Sequence, residues 1–276
     1  MPADNARHAD LPRDEDRRRE QAASFGAAAA AYERGRPPYP AEAIDWLLPP
    51  GATRVLDVGA GTGKLTRQLA ERGLDVVAVE PLDGMREQLA RAVPGVPVYP
   101  GTAEDIPLPD GSVQAVLLAQ AWHWVDPARA VPEVARVLVP GGQLGLVWNI
   151  RDERVDWVAQ LGRIVHDPGE ADGSRGITSV RNITSPPFGP LQRHTVDWTH
   201  RLTRDQLVDM VASRSYIITM PAAQRAAVLA QVARLADTHP ALAGRAELEL
   251  PYRTECFRAR LSWPPRPLLP NAGPPH

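Results

Sequence analysis

The densest chemical signal in the chain is Asp57-Val58-Gly59-Ala60-Gly61-Thr62-Gly63. Glycines at alternate positions let a backbone turn tightly and approach a ligand with no side chain between them. Several nucleotide-binding classes share such a loop, so its details matter. Lys64 stands where a G-x-G-x-x-G fingerprint would place its last glycine. Leu65 follows, where a phosphate-gripping loop needs serine or threonine after the lysine. Glu80 comes 23 residues after Asp57. A carboxylate there, at the end of the following strand, can accept both hydroxyls of an adenosine ribose.

A second group is Trp122-His123-Trp124. Tryptophan faces attract cations, so Trp122 and Trp124 are candidates for a wall against a charged ligand; the alternative is that they are core aromatics. His123 is the candidate general base, because an imidazole titrates near neutrality. Arg151 and Arg214 are candidates for orienting an anionic substrate. The histidines show no compact pairing with carboxylates at metal-ligand spacing, so no metal is expected.

The elements around these residues alternate. The expected strands are Arg54–Val58, Asp75–Glu80, Val96–Tyr99, Val113–Ala119 and Gln143–Asn149, the last entered through a turn at Gly141-Gly142. Helices are expected over Gly63–Arg72, Asp83–Ala92 and from Asp126-Pro127, where Pro132 predicts a kink or a late start. Pro97 predicts an edge position for its strand. A helix over Glu153–His166 is followed by a Gly/Pro-rich stretch, Pro168–Pro190. Thr195–Trp198 and Glu247–Arg258 read as strands, and Ala222–Ala236 as a helix. Thr203 and Gln206 form a capping box ahead of another helix. Strands separated by helices predict an α/β, doubly wound, mostly parallel sheet. The helices over about 200–238 read as a roof inserted over its mouth.

Val55–Gly63 resembles the first motif of the class I S-adenosylmethionine-dependent methyltransferases. Gly101-Thr102-Ala103-Glu104-Asp105-Ile106-Pro107 resembles their adenine-binding segment, and Val137–Gly142 the turn into their fifth strand. More narrowly, the chain resembles the type 11 methyltransferases related to trans-aconitate methyltransferase. The matching pieces are Tyr32 with Arg36–Pro40, Gln120–Trp124, Trp148–Asp152 and Ser213–Tyr216. The resemblance implies a seven-stranded Rossmann-like sheet in the order 3-2-1-4-5-7-6, with strand 7 antiparallel. It implies S-adenosyl-L-methionine as cofactor. Asp57, Gly59, Gly61 and Gly63 would pass close to its methionyl part, Glu80 would bind the ribose and Pro81 would flank the adenine. Ala103 would offer its N–H to adenine beside Glu104. Thr102 stands where many relatives carry aspartate. Gln120 would lie beside the methionyl group, with Tyr32 and Arg36 closing over its carboxylate. Ser185-Pro186-Pro187-Phe188 resembles the catalytic tetrapeptide of amino-methylating nucleic-acid enzymes but lies far downstream of the fourth strand, a coincidental match.

The expected organisation is a disordered segment over 1–22, a methyltransferase domain over 23–260 and a Pro-rich flexible tail over 261–276. Over 276 residues the formal net charge is −2, so no global positive field exists to hold a nucleic acid or an anionic membrane. One cysteine, Cys256, excludes an internal disulfide and a thiolate zinc site. With no apolar signal segment, this predicts a cytoplasmic enzyme acting on a small molecule. Two other classes share the fold. One is a non-catalytic S-adenosylmethionine-binding scaffold. The other is a nicotinamide-dependent oxidoreductase, disfavoured by the glycine spacing. Methyl acceptor, acceptor atom and oligomeric state are left open by the residues.

Overall fold

The computed structural model of the chain describes residues 37–165, 180–183 and 186–262. The expected N-terminal disordered segment, Tyr32, Arg36 and most of the Pro-rich tail lie outside these residues, as does much of the Gly/Pro-rich stretch.

The chain runs from helix α1 (Ala41–Leu47) through β1 (Arg54–Val58), α2 (Lys64–Ala70), β2 (Asp75–Val79), α3 (Asp83–Ala92), β3 (Val98–Tyr99) and β4 (Val113–Ala119). A 3₁₀ turn (Trp122–Trp124) leads to α4 (Pro127–Val137) and β5 (Leu138–Arg151). Then come α5 (Asp156–Ile164), β6 (Gln192–Leu202), α6 (Arg204–Ala212), α7 (Ser215–Ile218), α8 (Ala222–Thr238) and β7 (Leu248–Arg260). The seven strands form one sheet in the order β3-β2-β1-β4-β5-β7-β6. β1, β2, β3, β4 and β5 pair in parallel, and β7 is antiparallel to both β5 and β6. The edge position of β3 follows from Pro97, which lacks an N–H but still accepts from the Ala78 N–H.

β1, β2 and β4 are buried over nearly their whole length, as expected of parallel strands covered on both faces. One face packs Leu56, Val116, Leu118 and Leu146 against α4; the other packs Val55, Leu117 and Val147 against α1 and α2. A third apolar cluster joins α5, α6 and α8 to β7 through Trp157, Leu161, Leu207, Val211, Val232 and Leu250. The roof therefore has a core of its own, which fixes its position over the sheet.

Local signals decide most boundaries. Asp126 caps α4 by accepting from the Ala128 N–H, with Pro127 at the first helical position. α4 starts there and continues through Pro132, which is exposed while Ala130, Val131, Val134 and Val137 are buried. The predicted late start is corrected: one lost N–H bond on a solvent face is outweighed by an apolar face worth about 1.5–3 kcal/mol per large buried side chain. The expected turn at Gly141-Gly142 is instead an irregularity inside a longer β5, where the register shifts between Val113 and Ala115. Thr203 and Gln206 form the predicted capping box at α6. No helix among the described residues is long and apolar enough to cross a membrane.

Candidate active site

The glycine loop leaves the carboxyl end of β1, where doubly wound sheets bind ligands. It is held to the neighbouring strand, since the Gly59 and Ala60 N–H groups both donate to the Val79 carbonyl, at 2.8 and 3.2 Å. The glycines have different tasks. A Cβ on Gly59 would lie 2.9 Å from the Ala121 Cβ, and one on Gly63 2.9 Å from the Leu89 Cγ, so both are demanded by packing. Gly61 has φ +57°, and a Cβ there would meet nothing within 4 Å. It is also a residue that lines the cavity beside the loop.

Glu80 follows β2 and is 5% exposed. Its Oε2 accepts from the Gly61 N–H at 2.9 Å and its Oε1 from the Leu82 N–H at 3.0 Å. The carboxylate thus shapes the loop, and each oxygen keeps a lone pair for a hydroxyl. Burial pushes its pKa up, against the pull of those two N–H groups and Arg86. Pro81 beside it is exposed. Asp57 is fully buried at the end of β1. Its Oδ2 accepts from the Thr66 hydroxyl at 2.6 Å, while Oδ1 is buried with no hydrogen-bond partner. Burial pushes the Asp57 pKa up to about 7; the Thr66 hydroxyl opposes this and the charge of Glu80 adds to it.

Thr102 and Asp105 exchange backbone hydrogen bonds, which makes a tight loop after β3. Ala103 is buried there, and the Thr102 hydroxyl accepts from the Glu104 N–H at 3.3 Å. Glu104 accepts from the Asp126 N–H at 2.7 Å, which ties this loop to the one after β4. Gln120 follows β4 at φ +57°, an uncommon conformation for a side-chain-bearing residue and one that clusters at functional sites. Its side-chain amide donates to the Asn149 carbonyl at 3.1 Å.

A cavity of ≈ 700 Å³ of empty space, partly open to solvent, lies against this loop. Asp57, Gly59, Gly61 and Gln120 line it from the sheet side, and Met210 with Arg214 from the roof. Arg214 is 8% exposed. Gly63, Glu80, Pro81 and Thr102–Glu104 are not among the lining residues; Glu80 is bonded to one of them through the Gly61 N–H.

Four candidates stand elsewhere. Trp122 is fully buried in the cluster between sheet and α4, and Trp124 is 82% exposed. They form no wall, because a 3₁₀ turn sends alternate side chains in different directions. His123 is half-buried and does not line the cavity; its ring centroid lies 4.9 Å from that of Trp124. Arg151, opposite Tyr252 on β5, is likewise not a lining residue. The sequence reading missed Tyr39, Lys64, Asn149, Met210 and Tyr252. Asn149 carried a usable signal, since it ends a parallel strand at the binding edge. Tyr252 carried none.

Residues 56–146 match the family model described as a methyltransferase domain. An uncharacterized methyltransferase of Mycobacterium tuberculosis is 59% identical over 246 residues, covering 89% of this chain and 98% of that protein. An uncharacterized methyltransferase-like protein of Schizosaccharomyces pombe is 33% identical over 240 residues, covering 85% and 94%. The solved structure of a candidate type II methyltransferase from Anaeromyxobacter dehalogenans superposes with a TM-score of 0.61 at 28% identity, covering 82% of this chain and 97% of that one. The fold, the glycine loop and these relatives define the class. The chain belongs to the class I S-adenosylmethionine-dependent methyltransferases.

The residues present fit that cofactor. Asp57 offers a buried, unpartnered acceptor oxygen at the cavity. Gly61 offers bare backbone at the cavity, with open space where a Cβ would stand. Glu80→Ala removes one support of the loop and tests the ribose contact that the resemblance assigns to this carboxylate. It is expected to weaken S-adenosylhomocysteine binding by about 2–3 kcal/mol, as for charge-assisted hydrogen bonds. Calorimetry giving wild-type affinity in the variant would place the ribose contact elsewhere.

Proposed function

We propose that this methyltransferase esterifies the carboxylate of a small molecule in the cytoplasm, and does not act on nucleic acid. The single observation that carries this reading is Arg214: a nearly buried guanidinium set in the cavity roof, opposite the cofactor loop. A planar guanidinium suits bidentate recognition of a carboxylate. The resemblance to trans-aconitate methyltransferase-type enzymes points the same way. A carboxylate attacks without a general base, and none of the described lining residues is a histidine.

When bound, S-adenosylmethionine supplies an electrophilic methyl group on a sulfonium. The chain's own residues have three tasks. Asp57 and Glu80 accept hydrogen bonds from the cofactor, and Gly61 keeps the loop bare. Arg214 orients the acceptor carboxylate, which turns an encounter into a positioned, effectively unimolecular attack. α6 and the turn after it, held by the core shared with α5 and α8, cover one side of the cavity with Met210 and Arg214 and limit the water that reaches it.

The test is mass spectrometry of small-molecule extracts incubated with the protein and isotopically labelled S-adenosylmethionine. Labelled, base-labile esters support the reading; labelled ethers, amines or C-methylated products sink it. Once an acceptor is known, Arg214→Met should raise its KM at least about tenfold, the loss of one charge-assisted contact, while S-adenosylhomocysteine affinity changes little. An unchanged KM would assign orientation to another group. His123→Ala should keep turnover within about threefold of wild type, whereas losing a general base would lower it by about 10²–10⁴. A loss of that size would restore His123 to the chemistry.

A further inference from the structure

Residues 37–40 are Pro37-Pro38-Tyr39-Pro40, and Pro37 and Tyr39 both line the cavity. This strap belongs to no helix or strand. Its three prolines have no N–H, so it cannot join a ladder and must be held from outside. Side-chain amides hold it. Gln68 of α2 accepts from the Tyr39 N–H at 2.9 Å and donates to the Tyr39 carbonyl at 2.8 Å. Asn149 of β5 donates through Nδ2 to the Pro38 carbonyl at 3.0 Å.

The Asn149 amide is itself oriented from a distance. Trp198 of β6 donates its indole N–H to the Thr254 Oγ1 at 2.7 Å, and Thr254 of β7 donates to the Asn149 Oδ1 at 2.6 Å. The two ends set the polarity of this chain of bonds. An indole N–H can only donate, and a carbonyl oxygen can only accept. The Pro38 carbonyl takes the Asn149 Nδ2, which turns Oδ1 toward Thr254; the Thr254 hydroxyl accepts from Trp198 and gives its single proton to that oxygen. Thr254 is fully buried, so water offers no substitute. Trp198 has a second arm: its ring stacks on that of Tyr252, a lining residue, at 5.4 Å between centroids and 23°.

We propose that Trp198 and Thr254, neither of which lines the cavity, are positioning residues that set ligand affinity through Asn149 and the proline strap. This rests on the reading of the cavity as the S-adenosylmethionine site. Thr254→Val keeps the shape and removes the hydroxyl; Thr254→Ser keeps the hydroxyl; Trp198→Phe keeps an aromatic ring over Tyr252 and removes the donor.

S-adenosylhomocysteine titration should show a dissociation constant about tenfold higher for Thr254→Val, the effect of one lost hydrogen bond. Trp198→Phe should shift it in the same direction. Thr254→Ser should bind within about twofold of wild type, and Thr254→Val with Trp198→Phe should bind no worse than Thr254→Val alone, since both cut one chain of bonds. Near-wild-type binding by Thr254→Val, failure of serine to rescue, or multiplying effects in the double variant each overturn the proposal. If Thr254→Val does not fold, the serine and phenylalanine variants decide it: near-wild-type affinity in Thr254→Ser and a severalfold loss in Trp198→Phe support it, and any other pairing overturns it. Amide exchange at Tyr39 in the ligand-free protein separates the two layers. Faster exchange in Trp198→Phe supports the relay even if the wild-type protein binds no S-adenosylhomocysteine, an outcome that sinks only the reading of the cavity. Unchanged exchange sinks the relay.

Discussion

Gly61→Val is expected to lower S-adenosylmethionine affinity by about a hundredfold or more while the protein stays folded. A Cβ at Gly61 would meet no atom within 4 Å, and Gly61 is one of the residues that line the cavity. The new side chain would stand where the cofactor must approach the backbone. A separate cost is local. At φ +57° a side-chain-bearing residue is strained by about 1–2 kcal/mol, more for a β-branched one. The Gly61 N–H bond to Glu80 would be disturbed as well. Gly73→Val separates strain from occlusion. Gly73 also has positive φ, at +76°, and open space around its Cβ, but does not border the cavity. Both variants should lose a few degrees of melting temperature; only Gly61→Val should lose binding. Equal affinities in the two variants would mean that the loop is only a turn.

The second large effect concerns Asp57 and depends on pH. Its pKa is raised from 3.8 to about 7 in the folded protein, chiefly by burial. Between those values the folded chain holds a proton that the unfolded chain has lost. Stability from this group is therefore fully present below about pH 4 and is lost as pH rises through about 7. The total loss is about 4 kcal/mol at 1.36 kcal/mol per unit. Asp57→Asn has no proton to lose and still offers an oxygen to Thr66. In ligand-free protein its stability relative to wild type should rise by about 2–3 kcal/mol between pH 5 and pH 8. Glu80, also raised by burial, slopes the same way, and because its charge couples to Asp57 the difference between the two proteins reports the pair. The same substitution should weaken cofactor binding at least about tenfold, since a cationic ligand gains most from an ionised acceptor. Urea unfolding at pH 5 and pH 8 decides the first part; parallel pH dependence of the two proteins would show that Asp57 is ionised throughout.

Features that depend on neighbours along the chain were legible in the residues. The bounds of α3 and β4 followed from apolar spacing, the edge place of β3 from Pro97, and the start of α6 from the reciprocal bonds of Thr203 and Gln206. The glycine loop was legible because its task is backbone conformation, which residue type constrains directly. The surroundings of Trp122 and Trp124 were not. Two tryptophans two residues apart fitted a wall or a pair of core aromatics; a 3₁₀ turn buries one and exposes the other. The rest of the cavity depends on how distant elements pack. Pro37, Asn149, Arg214 and Tyr252 meet there from the N-terminal strap, β5, the roof and β7. No local pattern links them. Their proximity follows from antiparallel β7 returning between β5 and β6, and from the roof burying an apolar core of its own, which carries Arg214 over the mouth of the sheet.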